Sequence, residues 1–219
     1  QIIFQKYNST FISIFQNMYN NILSQKQQEL FPLLQQFHDN FGLVGGTAIA
    51  LHLGHRRSID FDLFSHVSFD TQNIRTIIRK QWQIDHTFIQ GQDELTILVH
   101  GVKLTFYRFP FNILFSQDIN QIISIPDLAT LGAMKAFALG KRAKWKDYVD
   151  LYFMFHTLKY DELIQKTTEL FGSEFNEKLF RVQLSYFVDV DYSEEVEFME
   201  GFAVSREDVQ KYLTDISLG

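Results

Sequence analysis

The sequence contains no cysteine and only three prolines among its 219 residues. Without a thiol the chain has no disulfide, no iron–sulfur cluster and no nucleophilic or zinc-binding cysteine. No apolar run reaches the ~20 residues that a transmembrane helix requires, so the sequence predicts neither a membrane span nor a membrane partner. The cytoplasm is therefore the expected location, and chemistry based on carboxylates and metal ions remains open.

Basic residues are outnumbered by acidic ones: the chain has 20 lysines and arginines against 26 aspartates and glutamates, which gives a formal net charge of -6. This balance argues against a basic coat for generic DNA binding and leaves local basic patches open. The apolar fraction of 46% is ordinary for a folded protein. The chain is rich in phenylalanine, with 23 residues, and these predict a well-filled hydrophobic core.

The hydrophobic pattern changes near Pro126. Before it, the pattern predicts an amphipathic helix within residues 8–38 that breaks at Pro32, a helix over 70–80, and strands over 56–65, 83–90, 94–100 and 102–109. After it come helical segments over 127–142, 144–158 and 159–187, an acidic connector over 189–198, and a last helix capped by Ser205. We therefore expect a mixed α/β core with N-terminal helices over residues 1–125 and a helical domain over 126–219.

Two aspartates, Asp60 and Asp62, flank Phe61 in the strand-like run. Residues i and i+2 of a strand share a face, so the two carboxylates would converge and raise the cost of ionising each other. A hard divalent cation relieves that repulsion, and carboxylate oxygens are ligands that Mg²⁺ prefers. The simpler alternative is a solvated strand face that happens to carry two acids.

The Gly45-Gly46-Thr47 sequence stands where a short apolar segment leads into a predicted helix. Glycines at such a turn let backbone N–H groups approach a ligand closely, and the start of the helix favours a phosphate. Thr47 could add a hydroxyl, although a tight turn alone would also explain the two glycines. Together, a phosphate cradle and a metal dyad indicate metal-assisted phosphoryl or nucleotidyl transfer.

Three segments carry a resemblance to a known family: GGTAIALHLGHRRSIDFDLFS (45–65), GVKLTFYRFPF (101–111) and IPDLATLGAMKAFALGKRAKWKDYVDLYFM (125–154). In this order they resemble the nucleotidyltransferase-fold toxins of the AbiEii/AbiGii type, which are similar to DNA polymerase β. The resemblance implies an α+β fold, with a polymerase-β-like nucleotidyltransferase core of mixed β-sheet and flanking helices followed by a helical C-terminal region.

The same resemblance assigns roles to the first segment. Gly45 and Gly46 would hold a nucleoside triphosphate, with Thr47 nearby, and Asp60 and Asp62 would bind Mg²⁺ or Mn²⁺. Before the strand, the family has an arginine and a serine that steady phosphate. Ser58 matches the serine, and Arg56 is preferred over Arg57 as the match for the arginine.

In the helical half, Lys135 matches the family lysine that contacts the triphosphate, and Arg142 follows seven residues later, on the same face if one helix spans both. Lys146, Asp147 and Asp150 match the KDxxD element. One of these acids would orient Lys135 or Arg142 by ion pairing, and an acid here could act in catalysis. Without the family context, the basic residues of this stretch could equally form a solvated helix end.

One position departs from the family pattern. Polymerase-β-like enzymes place a third carboxylate on a neighbouring strand, and Thr105 occupies the position expected to carry it. A threonine hydroxyl is a poor base and a weak Mg²⁺ ligand. Asp147 or Asp150 could substitute for the missing acid, the site could use one firmly held metal, or activity could be lost.

The resulting functional expectation is a nucleotidyltransferase that moves a nucleoside monophosphate from an NTP to a hydroxyl and releases pyrophosphate. The acceptor is an RNA 3′ end such as that of tRNA, a protein or a small molecule, and a cognate antitoxin is the expected protein partner. Two alternatives stay open: a catalytically weakened nucleotide-binding module that acts through a partner, and a kinase-like phosphotransferase that uses the γ-phosphate.

Overall fold

A computed structural model describes residues 18–139 and 141–219 of the chain. Its strands are β1 (Gly42–Val44), β2 (Phe61–Ser65), β3 (Ile84–Gln90), β4 (Glu94–Val99), β5 (Val102–Arg108), β6 (Gln117–Ile119) and β7 (Ile123–Ile125). Its helices are α1 (Gln25–Glu29), α2 (Phe31–Gln35), α3 (Gly45–Leu53), α4 (Thr71–Arg79), α5 (Leu128–Leu139), α6 (Trp145–Phe155), α7 (Tyr160–Phe171), α8 (Glu177–Leu184) and α9 (Arg206–Leu218). Short 3-10 turns add Asn20–Ile22 and Gly172–Glu174.

The strands form one mixed sheet in the order β3-β4-β5-β2-β1-β7-β6. β2 lies in its middle, antiparallel to β1 and parallel to β5. Asp62 pairs with Val44 of β1 on one side and with Thr105 of β5 on the other. Paired residues share a face of the sheet, so the register places Thr105 beside Asp62, where the third carboxylate was expected. The α+β fold class predicted from the sequence is confirmed.

Several element boundaries differ from the sequence prediction. The predicted strand over 56–65 begins only at Phe61, so Asp60 precedes the strand, and Ile59 is exposed rather than part of the core. Helix α5 ends at Leu139, so Arg142 lies in the turn before α6 and not on the helix of Lys135. The pair β6–β7 was not predicted, because strands of three residues carry too little periodicity to detect.

The N-terminal helix prediction over residues 8–38 lies partly outside the described residues. Within them, Ser24 caps α1 through a capping box with Gln27, and Pro32 stands in the first turn of α2. Proline lacks an N–H and favours the first turn of a helix, so a new helix starts there, as predicted. The predicted cap of the last helix is also confirmed, because the Ser205 hydroxyl accepts a hydrogen bond from the Asp208 N–H over 3.0 Å.

The largest core cluster lies against the sheet, and its side chains come from both sides of Pro126, including Leu131 and Met154. The predicted domain boundary therefore stays a prediction. Phe37, Phe41 and Phe106 meet edge to face in this core, with ring centroids 4.9–6.1 Å apart. A second cluster joins α6, α8 and α9. Across residues 18–139 and 141–219, no helix has the length and apolarity needed to cross a bilayer.

A substitution at Leu63 tests how much the central strand contributes to stability, because the Leu63 side chain of β2 is fully buried. Replacing it with alanine removes apolar contacts and leaves a cavity, and we expect Leu63→Ala to lower the free energy of unfolding by about 2–5 kcal/mol in a urea titration. Leu114→Ala is the matched control, because Leu114 is 73% exposed and should change stability by less than about 0.5 kcal/mol. Equal losses in the two variants would contradict the packing described here.

Candidate active site

The turn from β1 into α3 brings backbone N–H groups to the carboxyl end of β1. Gly45 adopts a φ of +72°, which glycine accepts easily, and a Cβ atom there would lie 2.2 Å from the Asp62 Oδ2. A Cβ atom on Gly46 would lie 2.6 Å from an Arg56 guanidinium nitrogen. Val44 supplies no side-chain cap to α3, so the first N–H groups of the helix remain available to an anion.

The carboxylate of Asp62 lies directly against this turn. Among the described residues, none donates a hydrogen bond to it. Burial, and secondarily repulsion by Asp60, raises the pKa of Asp62, although Lys103, Lys135 and Arg142 act in the opposite direction. The charged form is therefore poorly stabilised in the absence of a ligand, as expected for a carboxylate that awaits a cation.

Asp60 has a partner that the sequence did not reveal. The Lys103 Nζ atom lies 2.6 Å from the Asp60 Oδ2, and about a third of the Asp60 side chain is exposed. Burial alone would lower the pKa of Lys103, but its bond to Asp60 and its attraction to both aspartates raise it. Lys103 stands two residues before Thr105 on β5, so this strand offers the dyad an ammonium and a hydroxyl in place of a carboxylate.

A buried ion network lies behind the turn and centres on Asp150. Both Arg56 Nε and one of its Nη atoms donate to the Asp150 carboxylate, at 2.7 and 2.9 Å. Lys135 Nζ lies 3.0 Å from it, and His55 Nε2 donates to it over 2.8 Å. Burial alone would raise the pKa of Asp150, but Arg56 and Lys135 hold it well below its usual value.

Asp147 completes the network from the same helix, α6. It accepts from Lys135 Nζ at 2.7 Å and from Arg142 Nε at 3.1 Å. Burial opposes the charge on Lys135, but Asp147 and Asp150 together raise its pKa. The ion pairs expected from the KDxxD element are therefore present, and both acids hold cations rather than facing the dyad with free oxygens.

Hydroxyl and amide groups brace the loop between α3 and β2. The Thr47 hydroxyl donates to the backbone carbonyl of Asp60, and its oxygen lies 2.9 Å from the Ser58 Oγ. Gln27 is fully buried, and its side-chain amide donates to the Ser58 carbonyl over 2.8 Å. Thr47 and Ser58 thus fix the position of Asp60, and α1 supports them through Gln27.

The exposed cations stand at the start of α6. Lys144 Nζ lies 2.5 Å and Lys146 Nζ 3.2 Å from the carboxylate of Glu194, a residue of the acidic connector. Arg142 is more than half exposed while it contacts Asp147. Lys146 was predicted from the sequence, and Lys144 belongs to the basic stretch identified there. Lys103, Glu194, His55 and Gln27 were not predicted, because each is placed by contacts distant in sequence.

The residue chemistry of the dyad is compatible with a magnesium ion. The Asp62 carboxylate has no hydrogen-bond or ion-pair partner within the described part of the chain, and Asp60 lies two residues before it. Among residues 18–139 and 141–219, no group of three or more His, Asp or Glu side chains is arranged to hold a metal. Mg²⁺ commonly uses one or two carboxylates and completes its coordination with water and substrate phosphates. Asp60 and Asp62 supply that minimal set.

The fold and this arrangement are those of a nucleotidyltransferase-like α+β protein, with an acid dyad at the start of the central strand β2, beside a glycine turn. The comparisons with known proteins agree. Residues 30–83 match the family described as "Nucleotidyl transferase AbiEii toxin, Type IV TA system", which confirms the resemblance seen in the sequence. This matched region contains the glycine turn and both aspartates.

Similar proteins extend the comparison. The chain is 33% identical over 123 residues to the uncharacterized protein aq_aa25 of Aquifex aeolicus (strain VF5), a match that spans 53% of this chain and 58% of that protein. MenT4, a nucleotidyltransferase toxin of Mycobacterium tuberculosis H37Rv, superposes with a TM-score of 0.59 at 14% identity, covering 87% of this chain and 80% of its own. JHP933 of Helicobacter pylori gives a TM-score of 0.54 at 17% identity, with 90% and 92% coverage.

Asp150→Asn tests the buried network. The variant leaves Arg56 and Lys135 short of a buried negative charge, so we expect it to lower the free energy of unfolding by about 3–5 kcal/mol at pH 7 in urea. Asp215→Asn, at an exposed position of α9, is the control and should behave like the unmodified protein.

The network also predicts a pH dependence with a definite sign. Because the pKa of Asp150 is depressed in the folded state, its stabilising effect is complete above the unfolded value of about 4 and is lost as the pH falls towards the folded value. Asp150→Asn should lack that part of the acid sensitivity. If Asp150→Asn is as stable as Asp215→Asn at pH 7, the stabilising role of the buried network is contradicted.

Asp62→Asn should have the opposite effect on stability. The pKa of Asp62 is raised in the folded state, so its negative charge destabilises the fold above that pKa. We expect a higher thermal midpoint for Asp62→Asn than for the unmodified protein in EDTA at pH 7, and no change for Asp215→Asn. MgCl₂ should raise the midpoint of the unmodified protein but not of Asp62→Asn. A lower midpoint for Asp62→Asn in EDTA would refute this interpretation.

Proposed function

We propose that the chain is a magnesium-dependent nucleotidyltransferase that transfers a nucleoside monophosphate from an NTP to a hydroxyl acceptor. The observation that carries the proposal is the contact between the Gly45 turn and the carboxylate of Asp62, which has no partner among the described residues. A phosphate bound at the N-terminus of α3 would lie next to the dyad, so one substrate could engage both elements.

In this mechanism the residues of the chain mainly bind and orient the substrate. The N–H groups of Gly45 and Gly46 receive phosphate oxygens, and Asp60 and Asp62 hold the metal, which supplies Lewis-acid polarisation of the phosphate. Lys135 and Arg142 are close enough to act electrostatically on Asp62, so they place positive charge near the leaving pyrophosphate. The acceptor oxygen bonds to the α-phosphorus, the bond to pyrophosphate breaks, and the hydroxyl proton is released to solvent.

The biological part of the proposal comes from the family. The matched family is one of toxins from type IV toxin–antitoxin systems, and MenT4 is itself a nucleotidyltransferase toxin. We accordingly propose that this chain acts as the toxin of such a pair in the cytoplasm, with an antitoxin as its partner. Its acceptor is an RNA 3′ end, as in tRNA, a protein or a small molecule.

Labelling with radioactive nucleotides tests the reaction. Each α-³²P-labelled NTP is incubated with the protein, MgCl₂ and total RNA or protein, and we expect label in one acceptor fraction. Asp60→Asn combined with Asp62→Asn should reduce transfer by at least about a hundredfold, because the metal contributes several kcal/mol to transition-state stabilisation. Asp215→Asn is the control and should keep full activity.

Other outcomes of the same assay separate the alternatives. Label from a γ-³²P NTP without pyrophosphate release would identify a kinase-like phosphotransferase, and undiminished α-label in the double variant would overturn the proposed site. Growth arrest on expression should likewise require both aspartates if the chain is a toxin.

Thr105 favours one second candidate, a nucleotide-binding module with weakened catalysis. It stands beside Asp62 where a third carboxylate is expected, and no described Asp or Glu joins the dyad to form a set of three metal ligands. Calorimetry that detects MgNTP binding, together with no labelled product for any NTP, would support this candidate over the enzyme.

A further inference from the structure

An acidic segment crosses the basic side of the site and is held at both ends. This segment, residues 189–198, is called the strap here. At one end Asp191 exchanges backbone hydrogen bonds with Ala143 and Trp145, at 2.7 and 2.9 Å. At the other end, the Arg57 N–H donates to the Glu197 carbonyl over 2.9 Å. The strap therefore connects the loop before α6 to the loop before β2.

The middle of the strap places one carboxylate among the cations of the site. Glu194 contacts Lys144 and Lys146 directly and also acts electrostatically on Arg56 and Lys103. Hydrogen bonding from Lys144, supported by Lys146, lowers the pKa of Glu194 to about 2, so this carboxylate is charged at neutral pH. Lys103 in turn contacts Asp60 of the dyad. Glu194 thus occupies a position that favours an anion near the reaction centre.

We propose that Lys144 and Lys146 form an anion subsite for the triphosphate of the nucleotide, and that Glu194 occupies this subsite in the nucleotide-free protein. The proposal rests on the proposed function and adds a subsite and a built-in competitor to it. A triphosphate carries more negative charge than one carboxylate and would displace Glu194 from the two lysines, although the competition lowers its apparent affinity.

The backbone anchors explain why the strap can release Glu194 without unfolding. They lie at Asp191 and Glu197, on either side of Glu194, while the contacts of the Glu194 side chain within the described residues are ion pairs with the partly exposed Lys144 and Lys146. Partly exposed ion pairs of this kind are weak, so one anion can replace another at the two lysines. The neighbouring Glu195 is exposed and makes no hydrogen bond or ion pair within the described part of the chain.

Glu195 therefore provides a matched control. Glu194→Gln and Glu195→Gln make the same change in net charge, so a difference between them reports the position of the carboxylate. With inorganic tripolyphosphate as the calorimetric probe, we expect Glu194→Gln to lower the Kd by about fivefold and Glu195→Gln to change it by less than about twofold. Lys144→Gln combined with Lys146→Gln should raise the Kd by about tenfold or more.

Equal or weaker binding by Glu194→Gln compared with Glu195→Gln would overturn the subsite. Hydrogen exchange gives an independent measure, because tripolyphosphate should accelerate amide exchange in residues 192–197 of the unmodified protein, and unchanged or slower exchange would overturn the displacement. A single-stranded RNA that gains affinity from Glu194→Gln while tripolyphosphate does not would assign the lysines to an RNA phosphate and refute the nucleotide assignment.

These results are separable from the test of the reaction. Tripolyphosphate binding that responds to Glu194→Gln, with no transfer from any NTP, would refute the proposed enzyme and leave the anion subsite in place. Transfer that requires Asp60 and Asp62, with no response to Glu194→Gln, would refute the subsite alone.

Discussion

The carboxylate of Asp150 is the interaction on which the rest of the site depends. It is fully buried, yet it accepts hydrogen bonds from His55 and Arg56 of the loop before β2, and it lies 3.0 Å from the Lys135 Nζ atom of α5. A buried charge is tolerated only where such partners compensate its loss of water. Because Arg56 also lies under Gly46, the position of Asp150 determines the shape of the turn that faces the ligand.

The two pairs of aspartates illustrate opposite uses of the same side chain. Asp147 and Asp150 are saturated with cationic donors, so they contribute a rigid frame and have no free oxygens to offer a substrate. Asp60 and Asp62 have few hydrogen-bond donors. Asp60 contacts one lysine, Lys103, and Asp62 has no donor among the described residues. Under the proposed function, this shortage of donors leaves the second pair available to a cation.

The parts predicted correctly from the sequence are those with strong local signals. Strands β3, β4 and β5 begin and end within a residue or two of the predicted limits, because each is rich in β-branched, apolar or aromatic residues and turn residues separate one from the next. The fold class also follows, since the strands precede a run of helical segments. The start of β2 was misplaced because Ile59 continues the alternation of Phe61 and Leu63 although it lies outside the sheet.

Long-range contacts account for what could not be predicted. Nothing in the spacing distinguishes Arg56, buried against Asp150, from Arg57, which pairs with Glu197 at the surface. The partnership of Lys103 with Asp60 depends on the parallel register of β2 and β5, and that of Glu194 with Lys144 depends on the course of the strap. Local sequence patterns encode none of these pairings.

The composition of β5 has a consequence for how metal and nucleotide bind. Beside the two acids of the dyad, β5 supplies Lys103 and Thr105, so this strand adds a positive charge and a hydroxyl but no third carboxylate. Such a site binds a lone divalent cation weakly, because the ammonium competes for Asp60 and most of the coordination shell must come from elsewhere. The phosphates of the nucleotide can supply those missing oxygens. By linkage, each ligand then raises the affinity for the other by the same factor. Under the proposed function, a site that lacks the third carboxylate would therefore bind the metal and the nucleotide as one complex, and the protein alone would not need to hold the metal firmly.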